Sequence, residues 1–283
     1  MKVLVLGATG MLGHVVADRL SGRCELHTGV RDTVRARRLG IAGEPHAVDA
    51  MDPASCAALV ARLEPAVVVN AIGLVKQLAE ASRPVPAVTV NALLPHVLAE
   101  ACAARAARLV HVSTDCVFSG GLPAPAAYRE SDTPDATDLY GRSKLLGEVL
   151  EAPALTLRTS IIGRELERAS GLLEWFAGQD GNTVDGFTQA VFSGLTTKAL
   201  AALVEALISD HADLVGLYQV AAEPISKYDL LVRLRSALRL HCEIRAVDAP
   251  RINRALDGSR FHAATGLQVP SWDAMVAEYE GKR

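Results

Sequence analysis

Short apolar runs alternate with longer amphipathic stretches in the first 160 residues of the chain. The short runs predict buried strands, and the stretches whose apolar residues recur every three or four positions predict helices. The predicted strands are Lys2–Leu6, Glu25–Val30, His46–Val48, Ala66–Asn70, Leu109–Ser113 and Ala154–Arg158. The predicted helices between them are Met11–Leu20, Pro53–Leu63, Pro86–Ala104 and Leu139–Glu151. This alternation predicts an α/β fold with a doubly wound parallel sheet that helices cover on both faces.

After residue 160 the pattern changes, because glycine, serine and threonine interrupt shorter periodic stretches. Helices are predicted at Gly171–Gly178, Thr197–Ser209, Ser226–Leu238 and Trp272–Glu280. We therefore expect a larger domain over residues 1–160 and a smaller mixed α/β lobe over residues 161–283, with an approximate boundary across which segments can interleave. The lobe is expected to lie over the carboxyl ends of the strands.

A glycine-rich turn follows the first predicted strand directly, in the segment Gly7–Gly13. Gly7 and Gly10 would let the backbone approach a pyrophosphate, and Gly13 would allow close packing of the next helix on the strand. An ordinary strand-to-helix turn is the alternative, but the position at the head of a βαβ series favours a Rossmann-like dinucleotide site. The residues expected to line it are Gly7, Thr9, Gly10, Met11, Leu12 and Gly13.

The end of the second strand indicates which dinucleotide is bound. An acidic residue there binds the ribose 2′-hydroxyl of NAD, whereas an arginine accommodates the 2′-phosphate of NADP. Arg31 occupies this position, and Arg35, Arg37 and Arg38 follow closely. We expect NADP(H). NAD(H) is the alternative, with Asp32 on the hydroxyl and the arginines on a solvated helix face.

Tyr140 and Lys144 lie four residues apart in a predicted helix and therefore share one face of it. A phenol exchanges protons poorly at neutral pH unless a neighbouring cation stabilises the phenolate, and Lys144 is the expected cation. Thr114 follows a predicted strand, at the edge of the sheet where ligands bind. Its hydroxyl is expected to bond a substrate oxygen beside Tyr140. We predict that Thr114, Tyr140 and Lys144 are the catalytic residues.

Composition narrows the remaining choices. The chain has 283 residues, is half hydrophobic and carries a net charge of −3, which does not favour nucleic acid or an anionic membrane as a partner. Its five cysteines are scattered without metal-ligand spacing, so no disulfide framework or metal site is predicted and a reducing cytoplasm is favoured. The apolar start is broken early by glycines, and no segment approaches the length of apolar residues that spans a bilayer.

Several motifs resemble the extended short-chain dehydrogenase/reductase family, most closely its dTDP-4-dehydrorhamnose reductase group. The resemblance extends over nearly the whole chain. The matching pieces are GATGMLGH at the start, NAIG from Asn70, Asn91, STDCVFSG from Ser113, LYGRSKLLGE from Leu139, LRTS from Leu157, and LDGSRF near the end.

The resemblance implies roles for individual residues. Tyr140 would be the acid/base, Lys144 would orient the nicotinamide ribose and lower the pKa of Tyr140, and Thr114 would assist. Asn91 would brace a central strand. Further residues implied at the cofactor are Asp49, Ala50, Asn70, Ala71, Ile72 and Gly73, with a simple turn role as the alternative for Asp49.

The chain departs from this group near the expected sugar. Group members carry a tyrosine after Ser-Thr-Asp and a tryptophan after Arg-Thr-Ser, where this chain has Cys116 and Ile161. Candidate substrate residues are Lys76, Asp115, Cys116, Ile161 and Trp175. Core packing is the alternative for Trp175 and Cys116, and an exposed loop is the alternative for Lys76 and its neighbour Gln77. The segment Ser226–Asp229 begins a helix and receives no chemical role.

Three functions remain open at this point. The first is an NAD(P)H-dependent reductase of a nucleotide-linked 4-keto-6-deoxy sugar in deoxysugar or polysaccharide biosynthesis. The second is an epimerase or dehydratase that retains NAD, which Arg31 disfavours. The third is a non-catalytic dinucleotide-binding regulatory subunit, which an intact Thr114, Tyr140 and Lys144 disfavours. The expected partner is a nucleotide sugar, and the oligomeric state is left open, with a homodimer as one alternative.

Overall fold

The computed structural model of the chain describes residues 1–76, 79–167 and 170–281. The first half forms six strands, β1 (Lys2–Leu6), β2 (Glu25–Val30), β3 (Glu44–Ala47), β4 (Val67–Asn70), β5 (Arg108–Val112) and β6 (Ala154–Arg158). They pair in parallel in the order β6-β5-β4-β1-β2-β3. This is the predicted Rossmann-like doubly wound sheet. The strand order reverses between β1 and β4, which places a ligand crevice at their carboxyl ends.

Helices cover both faces of this sheet. They are α1 (Gly13–Leu20), α2 (Thr33–Arg38), α3 (Pro53–Leu63), α4 (Pro84–Ala87), α5 (Leu94–Ala103) and α6 (Leu139–Leu146). Val3 and Val5 of β1 join a core with α1, whereas Leu4 and Leu6 join a second core with α3 and α5. Because successive strand residues point to opposite faces, burial of both faces explains the continuously apolar strands.

The predicted helix Pro86–Ala104 is interrupted by a π-helical turn over Val88–Leu93, between α4 and α5. Pro95 has no N–H with which to bond the Asn91 carbonyl, and this releases the backbone locally. A Cβ atom at Gly147 would lie 1.9 Å from the Asn91 oxygen, so the chain after α6 presses against this turn. The prediction that the helix from Leu139 extends to Glu151 is wrong, because α6 ends at Leu146 beside this contact.

The second half contains α7 (Leu172–Ala177), α8 (Thr197–Ser209), α9 (Lys227–Leu238), α10 (Ser259–Thr265) and α11 (Trp272–Ala277). Its strands are β7 (Ile161–Ile162), β8 (Thr183–Phe187), β9 (Ala190–Phe192), β10 (Leu195–Thr196), β11 (Gly216–Gln219), β12 (Ile225–Ser226), β13 (Glu243–Val247) and β14 (Ile252–Arg254). Most form small sheets, β10-β7, β12-β9-β14 and β13-β8. In contrast, β11 was not predicted and joins the main sheet beside β6. Part of the second half therefore completes the parallel sheet.

The expectation that no segment approaches the length of apolar residues that spans a bilayer is wrong for one helical run, Pro84–Ala103, which is long and apolar enough by length and composition alone to cross a membrane. Of its most apolar 18-residue window, 44% is buried within the protein. Leu94 and Leu98 on this run are fully buried in the core that contains β1. A core helix of a soluble protein passes the same test, and the packing assigns this run to the core.

Candidate active site

The glycine turn after β1 is held by close backbone contacts. Gly7 has a φ of +81°, and its carbonyl accepts a hydrogen bond of 2.9 Å from the Gly10 N–H. A Cβ atom at Gly13 would lie 2.1 Å from the Gly7 oxygen, so only glycine lets α1 start this close to the turn. Thr9 and Met11 are partly exposed, whereas Leu12 is buried in the core and offers only its backbone. This cradle fits a dinucleotide pyrophosphate.

The segment after β4 forms the opposite side of the crevice. Asn70 is fully buried, and its side chain bonds the His111 ring at 3.1 Å and accepts from the Ile72 N–H at 3.1 Å. Ala71 and Ile72 are partly exposed, and Gly73 is exposed. A Cβ atom at Gly73 would lie 4.0 Å from the Lys144 Nζ. The predicted cofactor groove and the predicted catalytic lysine therefore meet at Gly73, although the Asn70 side chain itself is used to shape the loop.

Asn91 shapes the same loop. Its amide accepts from the Leu74 N–H at 2.9 Å and donates to the Leu74 carbonyl at 3.2 Å, as a neighbouring strand would. It also donates to the Ser143 hydroxyl on α6 at 3.2 Å. The side chain thus braces the segment that follows β4 and links it to the helix carrying Tyr140.

The arginines after β2 differ in their contacts. Arg31 directly follows β2 and its side chain is exposed. Asp32 caps α2 by accepting from the Arg35 N–H at 2.9 Å. Arg35 and Arg38 both pair with Glu167. Asp32 thus has the capping role in the structure, and the predicted contact of Arg31 with a 2′-phosphate stays a prediction.

Asp49 and Ala50 follow β3 at the same edge of the sheet. The Asp49 carboxylate is exposed and accepts from the Met51 N–H at 2.9 Å, which stabilises the turn before α3. Ala50 is partly buried. The turn role is thus present in the structure, and the predicted adenine contact of Asp49 stays a prediction.

Tyr140 and Thr114 are brought together by close packing of α6 on the turn after β5. Asp138 caps α6 by accepting from the Gly141 N–H at 2.8 Å. A Cβ atom at Gly141 would lie 2.2 Å from the Cys116 carbonyl oxygen, so glycine allows this approach. The Thr114 hydroxyl lies close enough to the Tyr140 phenol to act to lower its pKa. The two predicted catalytic hydroxyls are therefore adjacent.

Burial shifts the pKa values of Tyr140 and Lys144. It is the main cause that raises the pKa of Tyr140, with the neighbouring Cys116 adding to it. Burial also lowers the pKa of Lys144 to about 8, partly offset by Glu148. The Lys144 ammonium donates to the Val112 carbonyl at 2.8 Å. The prediction that the pKa of Tyr140 is lowered is not met in this structure, because desolvation of the phenol is the larger effect.

The small lobe adds two cations that the sequence analysis missed. Lys227, at the start of α9, lies with its Nζ 3.5 Å from the centre of the Phe192 ring. Burial lowers the pKa of Lys227 to about 8, while the charges of Asp115 and Cys116 act to raise it. Arg254 of β14 donates to the Phe118 carbonyl at 2.9 Å and influences the same Asp115. A lysine beside a helix cap gives no sequence signal for this role, because its neighbours come from distant segments.

Comparison with known proteins fits this geometry. The model of the RmlD substrate-binding domain family matches residues 1–280. The chain belongs to this family.

Its curated relatives in the family include dTDP-4-dehydrorhamnose reductases. The one from Mycolicibacterium smegmatis is 33% identical over 58% of this chain and 46% of the relative, and the one from Aggregatibacter actinomycetemcomitans is 25% identical over 96% and 95%. The first match thus spans about half the length of that relative. A solved structure of a hypothetical dTDP-4-dehydrorhamnose reductase from Sulfolobus tokodaii has a TM-score of 0.81 at 26% identity, with 97% and 99% of the two chains covered. The Bacillus anthracis dTDP-4-dehydrorhamnose reductase in complex with NADP has a TM-score of 0.81 at 20% identity, with 98% of each chain covered.

This family member has a buried ion pair beneath α6, the helix that carries Tyr140 and Lys144. Arg158 of β6 makes two hydrogen bonds of 2.7 Å to Glu148, and both side chains are 4% exposed. Glu148 also accepts from the Ser113 hydroxyl at 2.7 Å. The pair connects β5 and β6 to the residues that follow Lys144. An arginine at the end of a predicted buried strand was the available sequence signal, since a buried charge needs a partner.

The predicted substrate residues lie in different surroundings. Asp115 is buried beside Thr114, and burial raises its pKa, whereas burial raises the pKa of the Cys116 thiol to about 12. Such a thiol is not a nucleophile at neutral pH. Lys76 pairs with Asp138 at 2.8 Å and so reaches the cap of α6. Gln77 lies outside the described residues.

Ile161 and Trp175 lie on elements of the second half of the chain. Ile161 lies in β7, packed against the main core. Trp175 is 40% exposed on α7, while the adjacent Phe176 is fully buried. The core-packing alternative therefore does not describe Trp175, and a substrate role for Ile161 or Trp175 stays a prediction.

Proposed function

We propose that this protein is an NADPH-dependent reductase that converts the keto group of a nucleotide-linked 4-keto-6-deoxy sugar to a hydroxyl. The observation that carries the proposal is the juxtaposition of Thr114 and Tyr140, with Lys144 beside Gly73 in the groove. The names of the family relatives supply the substrate class, and the mixture of polar and charged groups around Asp115 is suited to a sugar.

The proposed chemistry needs a proton donor at the sugar oxygen. NADPH, when bound along the glycine turn and Gly73, supplies the hydride that reaches the keto carbon. The phenol of Tyr140 gives its proton to the oxygen of that carbon, and its raised pKa keeps it protonated at neutral pH. The Thr114 hydroxyl stabilises the phenolate that remains by a hydrogen bond.

Lys144 has a separate task. Its ammonium is held by the Val112 carbonyl at 2.8 Å and lies next to the groove at Gly73. Below a pH of about 8 it is charged, so it offsets the negative charge that Tyr140 acquires. The same ammonium bonds a ribose hydroxyl of the dinucleotide in this proposal.

The proposal divides the two ligands between the predicted domains. Residues 1–160 hold the cofactor, with Arg31 on the 2′-phosphate. The lobe of residues 161–283 supplies Lys227 and Arg254, whose charges suit a substrate bearing a diphosphate and hydroxyl groups. The five free cysteines favour work in a reducing cytoplasm.

The test is a panel of dTDP- and UDP-linked 4-keto-6-deoxy sugars incubated with the protein and NADPH. We expect NADPH oxidation in a one-to-one ratio with a reduced sugar, and no oxidation without the sugar. Tyr140→Phe is the matched control that keeps the site but lacks the proton. Epimerised sugar with no net NADPH consumption would overturn the proposal in favour of an epimerase, and no conversion of any sugar would also count against it.

A further inference from the structure

Four ionisable side chains share one face at the edge of the main sheet, away from the dinucleotide crevice. Glu25 and His27 lie on β2, and Glu44 and His46 lie on β3. Residues two apart in a strand point to the same side, and the parallel register pairs His27 with Glu44 and Gly29 with His46. The two strands therefore present two imidazoles and two carboxylates side by side.

Their ligand atoms converge on a small volume. The Nδ1 atom of His27 lies 2.9 Å from the Nε2 atom of His46 and 3.6 Å from a carboxylate oxygen of Glu44. One ligand atom from each of the three side chains lies within 4.8 Å of the others. His27 is buried, whereas Glu44 is exposed, so the cluster is both anchored and open to solvent.

We propose that His27, Glu44 and His46 bind a divalent transition-metal ion of the zinc class. Imidazole nitrogens and carboxylate oxygens are ligands that such ions prefer. Zinc–nitrogen bonds of about 2.0–2.1 Å require tetrahedral nitrogens ~3.3 Å apart, so the two rings need to separate by only ~0.4 Å. Water completes the coordination, which makes this a three-ligand site with an open position.

Glu25 fixes the position of the ring proton of His27 in the form that can bind a metal ion. Its carboxylate lies 3.2 Å from the Nε2 atom of His27, so the ring proton is held there and the Nδ1 lone pair points to the cluster. A carboxylate on the outer nitrogen of a metal-binding histidine is a common feature of such sites, and its loss weakens metal affinity by about 10- to 100-fold.

Arg62 of α3 makes a contact with His46 that competes with metal binding. Its guanidinium lies 3.4 Å from the Nδ1 atom of His46. Because arginine only donates, this contact places the ring proton on Nε2, where it bonds His27. An ion on Nε2 requires the proton on Nδ1, so Arg62 must turn away, and its exposed side chain has room to do so.

The ion would fix the edge strand β3 to β2, three residues before Asp49. Such a clip protects an edge strand that otherwise has one unpaired side. Sequence spacing gave no indication of this site, because its ligands come from two separate strands and match no short metal motif. The proposal does not depend on the reductase function.

Zn²⁺ alone is the probe, added to chelator-treated protein and followed by equilibrium dialysis and calorimetry. We expect one Zn²⁺ per chain, bound at least about tenfold more weakly by His27→Ala and by Glu44→Gln. Arg62→Gln should bind several-fold more tightly, since glutamine can accept the Nδ1 proton. His241→Ala is the matched control, because His241 is exposed and also lies near a carboxylate, that of Asp180.

Two further readouts keep the proposal testable. Glu44 is exposed, so Glu44→Gln remains informative if His27→Ala fails to fold. Co²⁺ in place of Zn²⁺ should give a spectrum without thiolate charge transfer, which excludes binding by the cysteines. No stoichiometric binding, a thiolate band, or equal affinity in wild type and Glu44→Gln would overturn the proposal.

Discussion

Two lysines from distant parts of the chain lie near the candidate active site, and burial lowers the pKa of each to about 8. Lys144 lies on α6, where the Val112 carbonyl of β5 accepts its hydrogen bond. Lys227 belongs to the small lobe, where it lies over Phe192 and is influenced by Asp115. The environments are similar, yet only Lys144 is recognisable from sequence. Its tyrosine is four residues away, whereas the partners of Lys227 lie more than thirty residues away.

The largest expected effect is on the side of Lys144. Tyr140→Phe should lower turnover by about 10²- to 10⁴-fold, because the proton donor is lost. NADPH affinity should be unchanged when measured by fluorescence titration. Tyr279→Phe is the control, since the Tyr279 hydroxyl is buried without a hydrogen-bond partner in the described residues. Wild-type turnover in Tyr140→Phe would remove Tyr140 from the mechanism.

The buried ion pair of Arg158 and Glu148 supports α6, the helix that carries Lys144. Glu148→Ala should lower the free energy of unfolding by about 3–5 kcal/mol, because Arg158 stays buried without its partner. Urea unfolding measures this. The double variant Glu148→Leu with Arg158→Met should recover much of the loss. A change below 1 kcal/mol, about the value of a surface pair, would show that Glu148 is not needed there.

Replacing Lys227 should weaken binding of the sugar substrate and leave binding of NADPH unchanged. Lys227→Met should raise the KM for the sugar by about 10- to 100-fold, the value of one hydrogen bond to a charged group. The KM for NADPH should stay the same. Lys198→Met serves as the control on an exposed lysine of α8. An unchanged KM for the sugar in Lys227→Met would contradict the proposed contact between Lys227 and the substrate.

Sequence reasoning was most accurate where packing is regular. The strands β1, β2 and β6 have the predicted bounds, and β1 shows the continuously apolar run expected of a strand buried on both faces. The glycine turn was also readable, because Gly7 and Gly13 are required by close backbone contacts. In contrast, β11 joins the sheet from the second half, and nothing in its four residues indicates that partner. Lys227 was missed for the same reason, as its contacts exist only after folding.

Arg31 is a third cation and, unlike the two lysines, is exposed. If it bonds the 2′-phosphate, the wild type should prefer NADPH over NADH by about ten- to a hundredfold. Arg31→Asp should reverse this preference, because a carboxylate repels the phosphate and accepts from a free hydroxyl. Rates at limiting cofactor measure both. Equal use of NADPH and NADH by the wild type would contradict the assignment.

The smallest expected effect is a change of activity with pH, and the Lys227→Met variant tests which of the two lysines causes it. The ratio kcat/KM for NADPH reports ionisations of the free enzyme. It should fall as the pH rises through about 8, because Lys144 loses its charge there while Tyr140 keeps its proton. Lys227→Met should retain this fall. Its disappearance in Lys227→Met would assign the ionisation to the lobe instead.

The most direct measurement follows deuterium from NADPH labelled at C4 of the nicotinamide to the sugar. With a dTDP-linked 4-keto-6-deoxy sugar, the account predicts one deuterium on the former keto carbon of the product and one NADP⁺ formed for each sugar reduced. Mass spectrometry and NMR of the product detect the label and its position. Turnover of the sugar with unlabelled product and no NADP⁺ formed would contradict the central claim that this protein is a reductase.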